Sequence, residues 1–152
     1  MHDQLIQKTY NKQLIEYSRK CYDGIPHDCN GIIGQNPMCG DQIEIYLKAH
    51  VKNNYNLILN QIFFESDGCS LMVASANMLK EIVQSISPEY FELQYSLLQK
   101  IIEPTHPEVS PKVKLKPFEG VKHFPTRKSC VLLPWQVTER AIMEERKKCG
   151  EI

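Results

Sequence analysis

The sequence predicts a fold of mixed α and β type, built on an antiparallel hairpin and covered by helices. Residues 42 to 50 alternate apolar and polar, with Ile43, Ile45 and Leu47 on one face. After the turn-forming run Asn53-Asn54-Tyr55-Asn56, residues 57 to 65 return as a second apolar strand, giving a hairpin over about 42–65. Several other stretches carry apolar residues at three- and four-residue intervals, the helical period. Two strands alone are marginal, so a third strand or a helical cover is required, and the region around 23 to 34 is the candidate for it.

The first helix is expected at 4–20, where Leu5, Ile6, Tyr10, Leu14, Ile15 and Tyr17 alternate with Lys, Gln, Glu and Arg. Residues 21–38 combine Gly24, Pro26, Gly31, Gly34 and Pro37 with Asp and Asn, which reads as loop. Ser70 is placed as the N-cap of a helix over about 70–85, whose broad apolar stripe suits packing on a sheet. Ser87 and Pro88 are placed as the N-cap and first residue of a helix over 88–102. A terminal helix is expected to start at Pro134-Trp135 and run over 135–148, with Trp135 as a packing residue.

At 152 residues the chain fits one domain, large enough to bury a core without disulfides. Lys+Arg and Asp+Glu are equal at 18 each, so the net field suggests no polyanionic partner. The basic residues Lys112, Lys114, Lys116, Lys122, Arg127 and Lys128, set against the single acid Glu119, leave a solvated loop or a docking surface for an acidic protein open. Nucleic acid is disfavoured because no binding motif or stacking series accompanies the charge. No signal-like opening and no window near the ~20 apolar residues of a membrane span is present, so a soluble cytoplasmic protein without membrane association is expected.

Six cysteines stand at 21, 29, 39, 69, 130 and 149. In a reducing compartment they suggest metal binding or thiol chemistry before disulfides. Cys21, Cys29 and Cys149 have no distinctive surroundings, and His27 lies near the first two. Cys39 stands two residues before Asp41, with Gly40 between them to let the backbone bend. In an extended segment the sulfur and the carboxylate would converge on one ion. Cys69 is expected at a helix N-terminus and Cys130 follows Arg127 and Lys128, settings that favour thiolate. Three thiolates and a carboxylate suit tetrahedral zinc or an iron-sulfur cluster, but spacings of 30 and 61 residues are no local zinc-finger signature.

Three motifs in order resemble the IscU/SufU family, whose domain is also NifU N-terminal-like. They are Asn36-Pro37-x-Cys39-Gly40-Asp41, then Gly68-Cys69-Ser70 followed by Ala74-Ser75, then Phe124-Pro125-x-Arg127-x-x-Cys130-x-x-Leu133-x-Trp135. The resemblance covers roughly residues 5 to 145. Ser129 stands where IscU proteins carry a histidine before the last cysteine, the chaperone motif Leu-Pro-Pro-Val-Lys is missing, and the 69-to-130 interval is long. These features are similar to the SufU branch, although the interval between the first two motif cysteines is a few residues longer than usual.

The resemblance implies a single α+β domain with a small antiparallel sheet of about three strands packed by helices. It implies Cys39, Asp41, Cys69 and Cys130 as ligands of Zn2+, with Cys39 as acceptor of persulfide sulfur; the charge of Arg127 near Cys130 leaves an electrostatic helper or a surface arginine open. The expected partners are a SufS-like cysteine desulfurase and a downstream iron-sulfur scaffold. Any sulfurtransferase-type activity would then need the desulfurase. The alternatives are an IscU-like scaffold holding iron or a transient [2Fe-2S] cluster on the same residues, and a structural zinc module.

Overall fold

The structure, a computed structural model, describes residues 11–20, 24–26, 29–53 and 55–150. Three strands form one antiparallel sheet in the order β1 (Gly31–Gln35), β2 (Gln42–Lys52) and β3 (Asn56–Asp67). Among the described residues four α-helices accompany it: α1 (Lys12–Arg19), α2 (Ser70–Ile82), α3 (Pro88–Ile101) and α4 (Lys128–Lys148). The fold is therefore α+β, as the sequence predicts. No helix among the described residues is long and apolar enough to cross a membrane.

The hairpin β2–β3 places Ile43, Ile45 and Leu47 on the buried face. On β3 the buried positions are Leu57 and Leu59, then Ile62, so the two-residue period slips by one. The cause is a bulge, since Lys48 pairs with Gln61 but the next residue, Ala49, pairs with Leu59. Asn60 is the extra residue. Its carbonyl accepts from Ser85 N (3.0 Å) and its Oδ1 meets His50 Nδ1 (2.7 Å), so the bulged residue keeps polar partners.

The third strand is β1, inside the stretch read as loop. Gly31 and Gly34 dilute its β signal, and pairing with β2 rather than local propensity makes it a strand. Gly34 has a packing reason. A Cβ there would lie 2.2 Å from Val137 Cγ2, so its bare backbone lets α4 close on β1.

Helix α4 starts at Lys128, six residues before the expected Pro134 start, and Pro134 lies inside it. Proline is usual at a helix start because inside a helix it removes the N–H that would bond the carbonyl four residues back, here that of Cys130. Burial of Cys130, Val131 and Leu133 against the core outweighs that loss. Trp135 is fully buried, 5.6 Å from the Phe91 ring and 5.8 Å from the Tyr95 ring. Helix α2 is shorter than expected because the chain turns after Ile82 to bring Ile86 into a two-bond bridge with Leu59 (2.7 and 2.9 Å). Its N-cap is Cys69 rather than Ser70, whereas Ser87 caps α3 as expected, accepting from Tyr90 N at 3.1 Å.

Of the expected helix 4–20 the described residues show α1, capped by Asn11 Oδ1 accepting from Leu14 N at 3.0 Å; the part before Asn11 lies outside them. Helix α1 packs on α2 through buried Leu14, while Tyr17 donates to Glu81 Oε2 (2.6 Å). Lys20 and Lys114 also pair with Glu81, and the three partners outweigh the effect of burial, holding its carboxyl down at about 2. The folded value lies below the ordinary 4.5, so this stability is present above about pH 4.5 and is lost as pH falls toward 2. With allowance for solvent screening, Glu81→Gln is expected to cost about 1 kcal/mol at neutral pH and nothing near pH 2. Urea unfolding at several pH values checks this, and a pH-independent cost would contradict it.

Candidate metal centre

The residues of the first motif form the loop between β1 and β2. Asn36 N donates to the Asp41 carbonyl (2.8 Å) and Gly40 N to the Asn36 carbonyl (2.8 Å), closing the chain just beyond the Gln35–Gln42 pair. Gly40 has φ +76°, a left-handed conformation that costs a residue with a Cβ about 1–2 kcal/mol. Cys39 and Asp41 thus converge across a turn rather than along an extended segment. Cys39 stays exposed at this turn while Asp41 is only 4% exposed.

The two other motifs meet this loop at helix starts. Cys69 is the N-cap of α2, and Cys130 lies in the first turn of α4, buried at 1% exposure. The Cys69 sulfur takes the N-cap place of α2 beside Met72 N–H, whereas α4 runs on from a preceding 3-10 turn whose Pro125 carbonyl accepts from Lys128 N. The α4 start was not legible in the sequence because Pro134 marks a false one. Arg127, half-buried, occupies the N-cap of α4.

One ligand atom each of Cys39, Asp41 and Cys130 lie within 4.8 Å of one another. The Cys39 and Cys130 sulfurs are 3.7 Å apart. That is far beyond a disulfide bond of about 2.05 Å. It matches the ~3.8 Å between two thiolates bound at about 2.3 Å to one tetrahedral ion. Asp41 Oδ1 accepts from Cys69 N (3.0 Å), while Oδ2 is buried and has no hydrogen-bond partner. A buried carboxylate oxygen without a donor is costly, and a cation would satisfy it. Gly68 makes room for this carboxylate, since a Cβ there would stand 2.6 Å from Asp41 Oδ1. The donor set of soft sulfurs and one hard oxygen fits zinc and fits iron.

Cys69 lies outside the closest trio but beside it, sharing a side-chain hydrogen bond with Asp41. Its ionisation departs from the expectation of a thiolate held by the helix. Burial pushes the Cys69 thiol up and the Asp41 charge adds to that, outweighing the hydrogen bond from Met72 N–H that favours thiolate. Burial also pushes the Cys130 thiol up strongly, reinforced by Cys69 and by hydrogen bonds shared with Cys39 and Asp41. Sequence proximity to Arg127 and Lys128 does not reverse this. Asp41 goes the other way: burial would raise it, but Cys69, through its thiol and its N–H, and then the nearby Cys39 and Cys130 thiols hold it below the ordinary carboxylate value. Without a cation the site therefore favours a carboxylate among thiols, and thiolates form there as a metal displaces protons.

The other described cysteines, Cys29 and Cys149, are not part of this trio. Cys29 is half-buried before β1, and Cys149 is exposed at the C-cap of α4. Cys21 and His27 lie outside the described residues. The basic stretch forms short 3-10 turns, Lys116–His123 and Pro125–Arg127. It lines a groove of about 910 Å3 with α1 residues Gln13 and Tyr17. Part of its charge is met internally, Lys116 by Glu119 (3.0 Å) and Glu108 (3.4 Å) and Lys114 by Glu81 (3.0 Å). Asn36, whose side chain bonds Met38 N in its own loop and reaches Ser129 and Cys130 on α4, enters the sequence reading only as part of a motif.

The sequence pattern of the family described as NifU-like N terminal domain matches residues 21–149. The zinc-dependent sulfurtransferase SufU of Bacillus subtilis is 25% identical over 140 residues, 90% of this chain and 92% of its own. The iron-sulfur cluster assembly scaffold protein IscU of Thermotoga maritima is 28% identical over 143 residues, 91% and 95% respectively. Among solved structures, a NifU-like N-terminal protein from Brucella abortus superposes with TM-score 0.77 at 18% identity, covering 95% of this chain and 99% of that one. An iron-sulfur assembly scaffold protein of the SUF system from Fervidobacterium islandicum superposes with TM-score 0.68 at 22% identity, covering 88% and 96%. The structural likenesses bear on the fold.

Proposed function

Because this chain belongs to the NifU-like N-terminal domain family of iron-sulfur cluster assembly scaffolds, which includes IscU and SufU, we propose that it is a SufU-type, zinc-dependent acceptor and carrier of persulfide sulfur from a cysteine desulfurase. The observation that carries this reading is the gradient of exposure among the site thiols: Cys39 is exposed at a loop tip, Cys69 half-buried and Cys130 buried. Only Cys39 is presented to a large partner.

Cys39, Asp41, Cys69 and Cys130 would hold Zn2+, which supplies a Lewis acid that keeps thiols deprotonated near neutral pH. At the start of α2, Cys69 N on Asp41 and Met72 N on the Cys69 sulfur would help offset the excess negative charge of three thiolates and a carboxylate. Arg127, three residues before Cys130 at the start of α4, is the proposed electrostatic helper. Cys39, once released, attacks the outer sulfur of the desulfurase persulfide. The S–S bond of the donor breaks, its cysteine leaves as thiolate, and a new S–S bond forms on Cys39 with no net oxidation. Asp41 and Cys130, both buried, and half-buried Cys69 would retain the ion meanwhile. A downstream iron-sulfur scaffold is the expected recipient.

A second reading, a scaffold for a transient [2Fe-2S] cluster, draws on the equally extensive similarity to the Thermotoga IscU and on a donor set that suits iron. Anaerobic purification separates the two. A colourless protein with about one zinc per chain, which loses stimulation of a desulfurase when chelated, is the expected result. A brown protein with iron and acid-labile sulfide would favour the scaffold. A protein whose zinc merely keeps it folded, with no effect on a desulfurase, would leave a structural module.

A further inference from the structure

Asn36 is buried at 5% exposure between the Cys39 loop and the first turn of α4. Its Oδ1 accepts from Met38 N at 3.0 Å, a bond only the oxygen can make, which fixes the orientation of the amide. Nδ2 is thereby turned toward α4, where it donates to Ser129 Oγ at 2.8 Å and stands 4.0 Å from Cys130 Sγ. One short side chain therefore binds the backbone beside Cys39 and the residue beside Cys130. The same contact spans the two elements whose sulfurs come within 3.7 Å.

We propose that Asn36 and Ser129 form a latch, with Asn36 as a positioning residue that holds the Cys39 loop against α4 and supplies an N–H donor to the Cys130 sulfur. The inference rests on the metal-site reading above and deepens it. The sulfur-transfer step requires Cys39 to leave the ion and return to it. The bond from Cys69 N to Asp41 Oδ1 ties the loop to α2, but that bond does not hold it against α4. Asn36 reaches α4 without using Cys39, so the loop keeps its place while the thiolate is away. Donors that orient metal ligands commonly change metal affinity by about 10–100-fold when removed.

The test compares wild type with Asn36→Ala, Asn36→Asp and Ser129→Ala. Zinc affinity is read by competition with a chromophoric chelator. Thiolate donation is read from the sulfur-to-metal charge-transfer band of the Co2+-substituted protein, and apo-protein stability from thermal unfolding. Ser129→Ala and Asn36→Ala are expected to weaken zinc by about 10–100-fold and to shift the charge-transfer band. Ser129→Ala strands the buried Asn36 amide donor, so a modest fall in the apo melting temperature is expected, and the band shift, which a general loss of stability would not produce, separates the latch from it. Asn36→Asp keeps the acceptor for Met38 N–H but lacks the N–H donor, so it should share the band shift. Wild-type affinity and an unshifted band in Ser129→Ala and Asn36→Asp would overturn the latch while leaving the metal site intact. Absence of any thiolate charge-transfer band in the wild type would overturn the metal-site reading and the latch with it.

Discussion

Cys39→Ala is expected to abolish sulfur acceptance, lowering transfer from a desulfurase persulfide by at least about 100-fold, while zinc remains bound near one per chain. The two halves of this result come from different parts of the site. Asp41 and Cys130 are buried and Cys69 half-buried, so three ligand groups stay in place when the exposed fourth is removed. No other thiol of the site is open to a bulky donor, and burial pushes both Cys69 and Cys130 toward the unreactive thiol form when no metal holds them. Cys130→Ala should show the converse, losing the metal first. The measurement is transfer of radiolabelled persulfide sulfur, with zinc quantified in the same samples. Normal acceptance by the Cys39→Ala protein would remove this residue from the role.

Trp135→Ala should cost about 3–5 kcal/mol of folding free energy, the range for emptying a large aromatic site in a core. Trp135 stacks on Phe91 and lies against Tyr95, joining α4 to α3. Its Nε1 donates to Ser75 Oγ (3.0 Å), and Ser75 donates in turn to the Val131 carbonyl (2.6 Å). This chain joins α2 to the first turn of α4, one residue beyond Cys130. Trp135→Phe keeps most of the ring contacts and leaves Ser75 bonded to Val131, so about 1–2 kcal/mol is expected. Urea unfolding of metal-free protein measures both. A loss below about 1 kcal/mol for Trp135→Ala would mean that the cavity collapses and that α4 is held by other contacts.

The hairpin was legible because Ile43, Ile45 and Leu47 repeat with the period of a strand, and α3 because Ser87 and Pro88 carry the chemistry of a helix start. Strand β1 was not, since Gly31 and Gly34 are chosen for the close approach of Glu44 and Val137 rather than for strand propensity. The start of α4 was misplaced because Pro134 is tolerated inside the helix by burial that no local rule registers. The ligand candidates were visible through their motifs. Their mutual arrangement and their protonation were not.

The sequence by itself determined which chemistry is available to this protein: three thiols and a carboxylate in motifs of an iron-sulfur assembly family, on helices and a hairpin whose periodicities are local properties of the chain. Tertiary structure alone decided which thiol faces outward, which carboxylate oxygen is left without a donor, and which amide joins the loop to the helix. Exposure and desolvation are set by what residues 30 to 90 positions away pack against them. Spacing along the chain encodes neither, whereas the fold brings two helix starts and one turn to a single point.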